Sequence, residues 1–238
     1  MVPLQIGRRA TSNDPQVWKP ATQQTWKSAL RMQMNTDQQA QKNELRVKIR
    51  AIVKSLSPEK RKSDSEKLCA LLKTQPFFQS ARSILFFAPL PEEPNLWPLL
   101  NETLAGKKLV ALPCFDADSQ VYQPRRIADL HVEILSGKFG IREPVETCLA
   151  IPPNELDLVL APGVAFGLDG HRLGRGKGYY DRLLQNFSGM KVGIAFDEQV
   201  VEAVPSEPND VRMDVILTPT RSVMLSMGRR THAKIQTR

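Results

Sequence analysis

Residues 156–184 read LDLVLAPGVAFGLDGHRLGRGKGYYDRLL, and the change of texture inside this stretch decides how the chain is built. LDLVLA at 156–161 is a short, nearly continuous apolar run, as expected of a strand buried on both faces. Asp169 and Gly170 supply a turn. Gly174, Gly176 and Gly178 then alternate with Arg175 and Lys177, and a helix opens on Tyr179, Tyr180 and Asp181 with Leu183 and Leu184 on one side. A strand that leads through a glycine-rich loop into a helix is part of a βαβ unit, and ligands of open α/β sheets bind beyond the carboxyl ends of the strands. The glycines let several backbone N–H groups approach one anion, the helix start adds partial positive charge, and Arg172, Arg175 and Lys177 stand alongside. These are the requirements of a polyphosphate site. The pattern is neither GxxxxGK[ST] nor GxGxxG, and by its glycines alone it is also compatible with a flexible basic loop. The aromatic pair and Asp181 favour the phosphate site. A carboxylate in the first turn is placed to hold Mg²⁺ beside phosphates, and it is equally an ordinary complement to the helix dipole.

Outward from this segment the same alternation recurs. Apolar runs lie at 83–88 (SILFFA), 108–113 (KLVALP), 191–196 (KVGIAF) and 215–218, separated by helical or irregular stretches at 96–104, 179–187 and 198–204. Alternation of this kind predicts a three-layer α/β/α domain around a mostly parallel, Rossmann-like sheet. Before it, Leu45, Ile49, Ile52, Val53 and Leu56 recur at three- and four-residue steps and predict one amphipathic helix over 37–56. Ser57 and Pro58 read as N-cap and first position of a second helix carrying Leu68, Leu71 and Leu72.

The 238 residues suit one such domain with extensions. Hydrophobic residues at 41% and charged residues at 24% exclude a wholly disordered, collagen-like or coiled-coil protein. No apolar run approaches the ~18 residues of a membrane span, so no membrane association is expected. The net charge of +8 invites a nucleic-acid reading, but its distribution argues otherwise. Residues 1–33 hold five basic side chains against Asp14 alone, and residues 221–238 hold five with no acid. The remaining 23 basic and 24 acidic residues leave the body at −1. No aromatic and basic platform accompanies the charge, so no nucleic-acid partner is expected.

Residues 1–36 are polar and basic without apolar periodicity and are expected to form a disordered extension; residues 221–238 are expected to form a basic tail. No apolar region suited to a secretory signal follows the first basic residues. A transit-type leader and a true start at Met32 or Met34 both stay open. Cys69, Cys114 and Cys148 are widely spaced and read as buried free thiols, which suits a reducing cytoplasm. His131, His171 and His232 offer no zinc spacing.

RLGRGKGYYD at 172–181, preceded by APGVAF at 161–166, closely resembles the signature of the 5-formyltetrahydrofolate cyclo-ligase (5,10-methenyltetrahydrofolate synthetase) family. Weaker pieces follow the same order: KNELR at 42–46, LPEEP at 90–94 with Gly106 and Lys107 after it, GIREP at 140–144, and 205–214. The resemblance covers about residues 38–220 and implies a catalytic domain over 37–220. It implies an ATP- and Mg²⁺-dependent conversion of 5-formyltetrahydrofolate to 5,10-methenyltetrahydrofolate, in which the formyl oxygen takes the γ-phosphoryl group and N10 then closes the ring.

By the same resemblance, Lys42 and Arg46 contact ATP phosphates, and their i, i+4 spacing puts both on one helix face; as residues alone they belong equally to a solvated stripe with Lys48, Arg50 and Lys54. The nucleotide loop comprises Arg172, Leu173, Gly174, Arg175, Gly176, Lys177, Gly178, Tyr179 and Tyr180. Within it Lys177, Arg175 and Tyr180 are the catalytic candidates, and Arg175, Lys177 and Tyr179 also border the folate. Asp181 and Asp210 match the Mg²⁺ carboxylates, and Glu93 matches the folate-contacting glutamate. The sequence departs from the family at Pro94, which stiffens the chain after Glu93, and at 120–124 (QVYQP), where Tyr122 stands in for an apolar wall or is simply a core strand residue. The expected partners are 5-formyltetrahydrofolate and ATP, with the protein a cytoplasmic monomer. The alternative is a silent family member acting as a nucleotide- or folate-binding regulator. Retention of Lys42, Arg46, Glu93, Lys177, Tyr180, Asp181 and Asp210 together weighs against it.

Overall fold

The computed structural model describes residues 23–137, 140–207 and 210–225. The expectations for residues 1–22 and 226–238 concern residues outside these. The chain divides into two compact units, residues 1–37 and 38–238.

Helix α1 runs Gln23–Ser55. It begins fourteen residues before the expected start, through a stretch rich in good helix formers in which Trp26, Met32 and Met34 are exposed. Helix formation there follows local propensity. In the second unit, Ile49 and Val53 of α1 are buried and Leu45, Ile52 and Leu56 pack beside them, as the periodicity predicts. Helix α2 (Pro58–Thr74) starts at Ser57, whose hydroxyl accepts the Lys60 N–H at 3.1 Å. Helices α3 (Pro76–Ser80), α4 (Trp97–Ala105) and α5 (Tyr179–Gln185) follow.

The strands are β1 (Ser83–Leu85), β2 (Leu109–Asp116), β3 (Val121–Ile127), β4 (Ile134–Ser136), β5 (Arg142–Pro144), β6 (Leu158–Pro162), β7 (Ala165–Gly167), β8 (Arg172–Leu173), β9 (Met190–Ile194), β10 (Val200–Val201), β11 (Val215–Leu217) and β12 (Ser222–Met224). The main sheet has the order β12-β11-β9-β6-β1-β2-β3. Its five central strands, β11 to β2 in that order, are mutually parallel, and they contain the five apolar runs. The edge strands β3 and β12 are antiparallel. Residues 222–224, expected to belong to a basic tail, instead form β12 and pair with β11. Strands β10, β7 and β8 form a small second sheet, and β4 pairs with β5.

The two faces of the main sheet follow the two-residue period of the strands. Ile84, Leu158, Leu160, Val192, Val215 and Leu217 face α2 and α4, packing with Leu68, Leu72, Leu99 and Leu100. Leu85, Val159, Ala161 and Ile216 belong to the opposite core with Leu183 and Leu184 of α5. The sheet is thus covered on both sides, the arrangement a parallel sheet requires. A third cluster packs α1 on the small sheet through Ile49, Val53, Val164, Ala165 and Leu173. No described helix is long and apolar enough to cross a membrane. All three cysteines are free; Cys114 and Cys148 are buried, while Cys69 is only half-buried, its thiol pushed up to about 11 by burial.

At the amino end of β6, Asp157 Oδ2 accepts the backbone N–H groups of Arg82 (2.8 Å) and Ser83 (3.0 Å), fixing the register of β1 against β6. Burial opposes its charge, but these N–H groups outweigh that and lower its pKa. A depressed carboxylate stabilises the fold above its unfolded pKa, near 4, and that contribution is lost as pH falls through the folded value. Asp157→Asn should therefore cost about 1 kcal/mol at pH 7, with the gap to the unaltered protein closing below pH 4 in urea melts.

Candidate functional site

The chain leaves β1 for β2 on one side and returns to β6 on the other, so the carboxyl ends of β1 and β6 flank the point where strand order reverses. A crevice is expected there, because the connections on its two sides run in opposite directions. A cavity of about 360 Å³ occupies it. Phe87, Ala88, Leu90 and Glu93 line it from the chain after β1, and Pro162 and Gly163 from the end of β6. Pro113 contributes from β2, Tyr122 from β3, Arg50 from α1 and Ile141 from the chain before β5, and most of residues 172–181 provide the remaining wall.

Arg172 holds that wall in place. Its guanidinium, with a side chain only 3% exposed, pairs with Asp181 Oδ1 at 2.7 Å and donates to the Pro162 carbonyl at 3.2 Å. It also lies 5.6 Å from the Tyr180 ring centroid. It thereby joins the end of β6 to the first turn of α5. The intervening loop turns at Gly176 (φ +103°) and Gly178 (φ +67°), backbone conformations in which a side chain is strained. Arg46 closes the loop from outside, donating to the Gly174 carbonyl at 2.9 Å and to Asn43 Oδ1 at 2.7 Å.

Across the cavity Arg175 Nη2 meets Glu93 Oε1 at 2.9 Å. The other oxygen, Oε2, accepts the Leu90 N–H at 3.0 Å, so the carboxylate is fixed at both ends. Lys177 also lines the cavity, and its ammonium pairs with no acid among the described residues. Tyr122, Phe115 and Tyr179 form an edge-to-face cluster with centroids 5.0–5.8 Å apart. Burial raises the Tyr122 hydroxyl to about 12, and burial followed by the nearby Glu93 charge pushes Tyr180 well above its ordinary value. Both phenols therefore keep their protons at physiological pH.

The expected residues fall into four groups. Glu93, Tyr122, Arg172, Gly174, Arg175, Lys177, Gly178, Tyr179, Tyr180 and Asp181 surround one cavity. Tyr122 satisfies both readings of it, being 7% exposed in the core and yet part of the wall. Arg46 and Gly176 stand just outside, within 4 Å of each other once a Cβ is placed on the glycine. Leu173 is a core residue of the small sheet, supporting the loop from beneath. Lys42 and Asp210 form a separate pair at 3.0 Å, with Glu207 on the same ammonium at 2.9 Å. Burial works against the Lys42 charge, but these two acids outweigh it and raise its pKa. Arg50 was not singled out by its sequence context. Its only signal was that it continues the four-residue step from Lys42 and Arg46.

An open, doubly wound sheet with a basic glycine loop at its switch point places the chain among α/β proteins whose crevice suits an anionic ligand. Residues 38–219 match the model of the 5-formyltetrahydrofolate cyclo-ligase family, and the chain belongs to that family. It is 31% identical to the 5-formyltetrahydrofolate cyclo-ligase of Escherichia coli K12 over 183 residues, covering 73% of this chain and 97% of that one. It is 27% identical to the Mus musculus enzyme of the same name, covering 74% of this chain and 92% of that one. The solution structure of Aquifex aeolicus 5,10-methenyltetrahydrofolate synthetase superposes with a TM-score of 0.71 at 37% identity, covering 82% of this chain and 99% of that one. The Mycoplasma pneumoniae synthetase superposes at 0.60 and 25% identity, covering 75% and 98%.

Gly178→Ala should lower stability by about 1–2 kcal/mol, roughly 2–8 °C in melting temperature. Gly106, at φ −76° with its nearest neighbours at 3.4 Å, is the control, and Ala there should be close to neutral in the same melt.

Proposed function

We propose that this protein converts 5-formyltetrahydrofolate and ATP to 5,10-methenyltetrahydrofolate, ADP and phosphate. The observation that carries the reading is the meeting of Glu93 and Arg175 at 2.9 Å across one cavity. A carboxylate suited to the amino groups of a pterin and a cation of the phosphate loop share one chamber, so the two substrates are brought into reach of one another.

The formyl oxygen is an amide oxygen and a weak nucleophile, so the work of the protein is to place it in line with the γ-phosphorus and to neutralise the transferring charge. Oxygen bonds to the γ-phosphorus as the bond to ADP breaks, leaving an imidate-like phosphate ester on the formyl carbon. The N10 lone pair attacks that carbon, the carbon–oxygen bond breaks, phosphate departs with its electron pair, and N10 loses its proton. Glu93 retains one unused lone pair on each oxygen and accepts the pterin amino groups. Lys177 and Arg175 bind the phosphoryl oxygens, and the neutral Tyr180 hydroxyl donates a hydrogen bond. Arg172 and the loop glycines hold the backbone N–H groups toward the phosphates. Lys42 and Arg46 attract the nucleotide from outside the loop.

Asp181 and Asp210 fit Mg²⁺ by the hardness of their oxygens. Oδ2 of Asp181 and Oδ1 of Asp210 accept no hydrogen bond among the described residues. An ion held by these carboxylates would supply positive charge to the phosphate oxygens. The protein acts as a cytoplasmic monomer on these two substrates, a reading to be checked by cell fractionation and sedimentation. One relative, from Arabidopsis thaliana, is named as mitochondrial.

The appearance of methenyltetrahydrofolate absorbance on mixing the protein with 5-formyltetrahydrofolate, ATP and Mg²⁺ tests the activity. No ATP-dependent product would reject it in favour of a silent binding protein. Asp181→Ala should need several-fold more Mg²⁺ for half-maximal rate, and Lys177→Ala should lower kcat/KM about 100-fold. Turnover of Asp181→Ala that is unchanged at limiting Mg²⁺ removes that residue from the metal site.

A further inference from the structure

Arg50 and Lys54 continue the row that begins with Lys42 and Arg46, at four-residue steps of about 6 Å along the helix axis. The four cations span about 18 Å, more than one triphosphate occupies. The first two meet the loop and its neighbours, at Gly174, Glu207 and Asp210. The last two do not. Arg50 lines the main cavity and also a second one of about 310 Å³, which Lys54 lines with it. The two cavities share Arg50, Glu93, Gly163 and Arg175, so the Glu93–Arg175 pair stands where one passes into the other.

The second cavity is apolar at its base, through Ile49, Val53 and Val164, and charged at its rim. Arg50, Lys54 and Arg175 face it against Glu92 and Glu93. With Arg175 committed to Glu93, Arg50 and Lys54 outnumber Glu92. Neither cation forms an ion pair with an acid among the described residues. Arg50 is also close enough to Arg46 to lower its pKa, after the larger effect of burial, and a nearby anion would relieve that repulsion. Lys48, on the same helix, lines neither cavity.

We infer that Arg50 and Lys54 bind the carboxylates of the glutamate tail of the folate, which leaves the main cavity past the Glu93–Arg175 pair into the second one. The assignment rests on the proposed activity. It follows from the shape of that substrate: a pterin held at Glu93 is joined through a flat aromatic ring to a dicarboxylate, so its second anionic end must lie away from the nucleotide. The apolar base receives the ring side of the linker, and the two cations receive the carboxylates.

The test compares kcat/KM for 5-formyltetrahydrofolate with that for 5-formyltetrahydropteroate, which lacks the glutamate, at saturating ATP. The unaltered protein should favour the glutamate-bearing substrate. Arg50→Gln should reduce that preference about five- to tenfold, Lys54→Gln about two- to fivefold, and Arg50→Lys should restore most of it. Lys48→Gln should keep the preference. A preference unmoved in Arg50→Gln overturns the assignment, as does a loss that appears in the KM for ATP instead. If the unaltered protein turns over neither substrate, the proposed activity fails, and the subsite falls with it.

Discussion

The buried guanidinium of Arg172 is the constraint on which the site depends. Its carboxylate partner lies in the first turn of α5, its carbonyl partner ends β6, and the Tyr180 ring lies beside it. A glycine-rich loop has many conformations open to it, and conformational entropy favours losing any particular one. Anchoring both ends of residues 172–181 to one planar cation restricts the loop to shapes that surround the crevice. The Leu173 side chain, packed against α1, and Arg46, hydrogen-bonded to Gly174, fix it from the other two sides. The cations on this loop therefore borrow their positions from an interior residue.

Charge in the crevice is organised by pairing. Arg172 is matched by Asp181, Arg175 by Glu93, and Lys42 by Glu207 and Asp210. For the buried Arg172 and Lys42 such partners are a requirement, since an isolated charge in a low-dielectric interior carries a large desolvation cost. What remains uncommitted in the main cavity is Lys177 and Arg50. Binding of anionic substrates to this site is thus in large part an exchange of partners, and the excess charge of the whole chain, concentrated toward its ends, has little bearing on it.

Sequence made the central parallel strands legible because strands covered on both faces must be apolar throughout. It was less informative at the edges. Strand β3 reads VYQPRRI, with alternating burial and a proline, which an antiparallel edge accepts but a periodicity search passes over. The loop and its acids were visible because their chemistry is local. Arg50 was not, since Lys48, Arg50 and Lys54 look alike until the facing of α1 is known. Nor did the sequence show that Glu93 and Arg175, 82 residues apart, meet as a pair.

Strand β12 contributes no residue to the crevice, yet it completes the sheet. Its three residues pair with Val215, Ile216 and Leu217, all fully buried. A chain ending at residue 220 would keep every group that lines the cavity and would expose this apolar strand as an unpaired template, open to addition of a strand from another molecule. Such a truncation would fail in the test tube by self-association, with its chemistry intact.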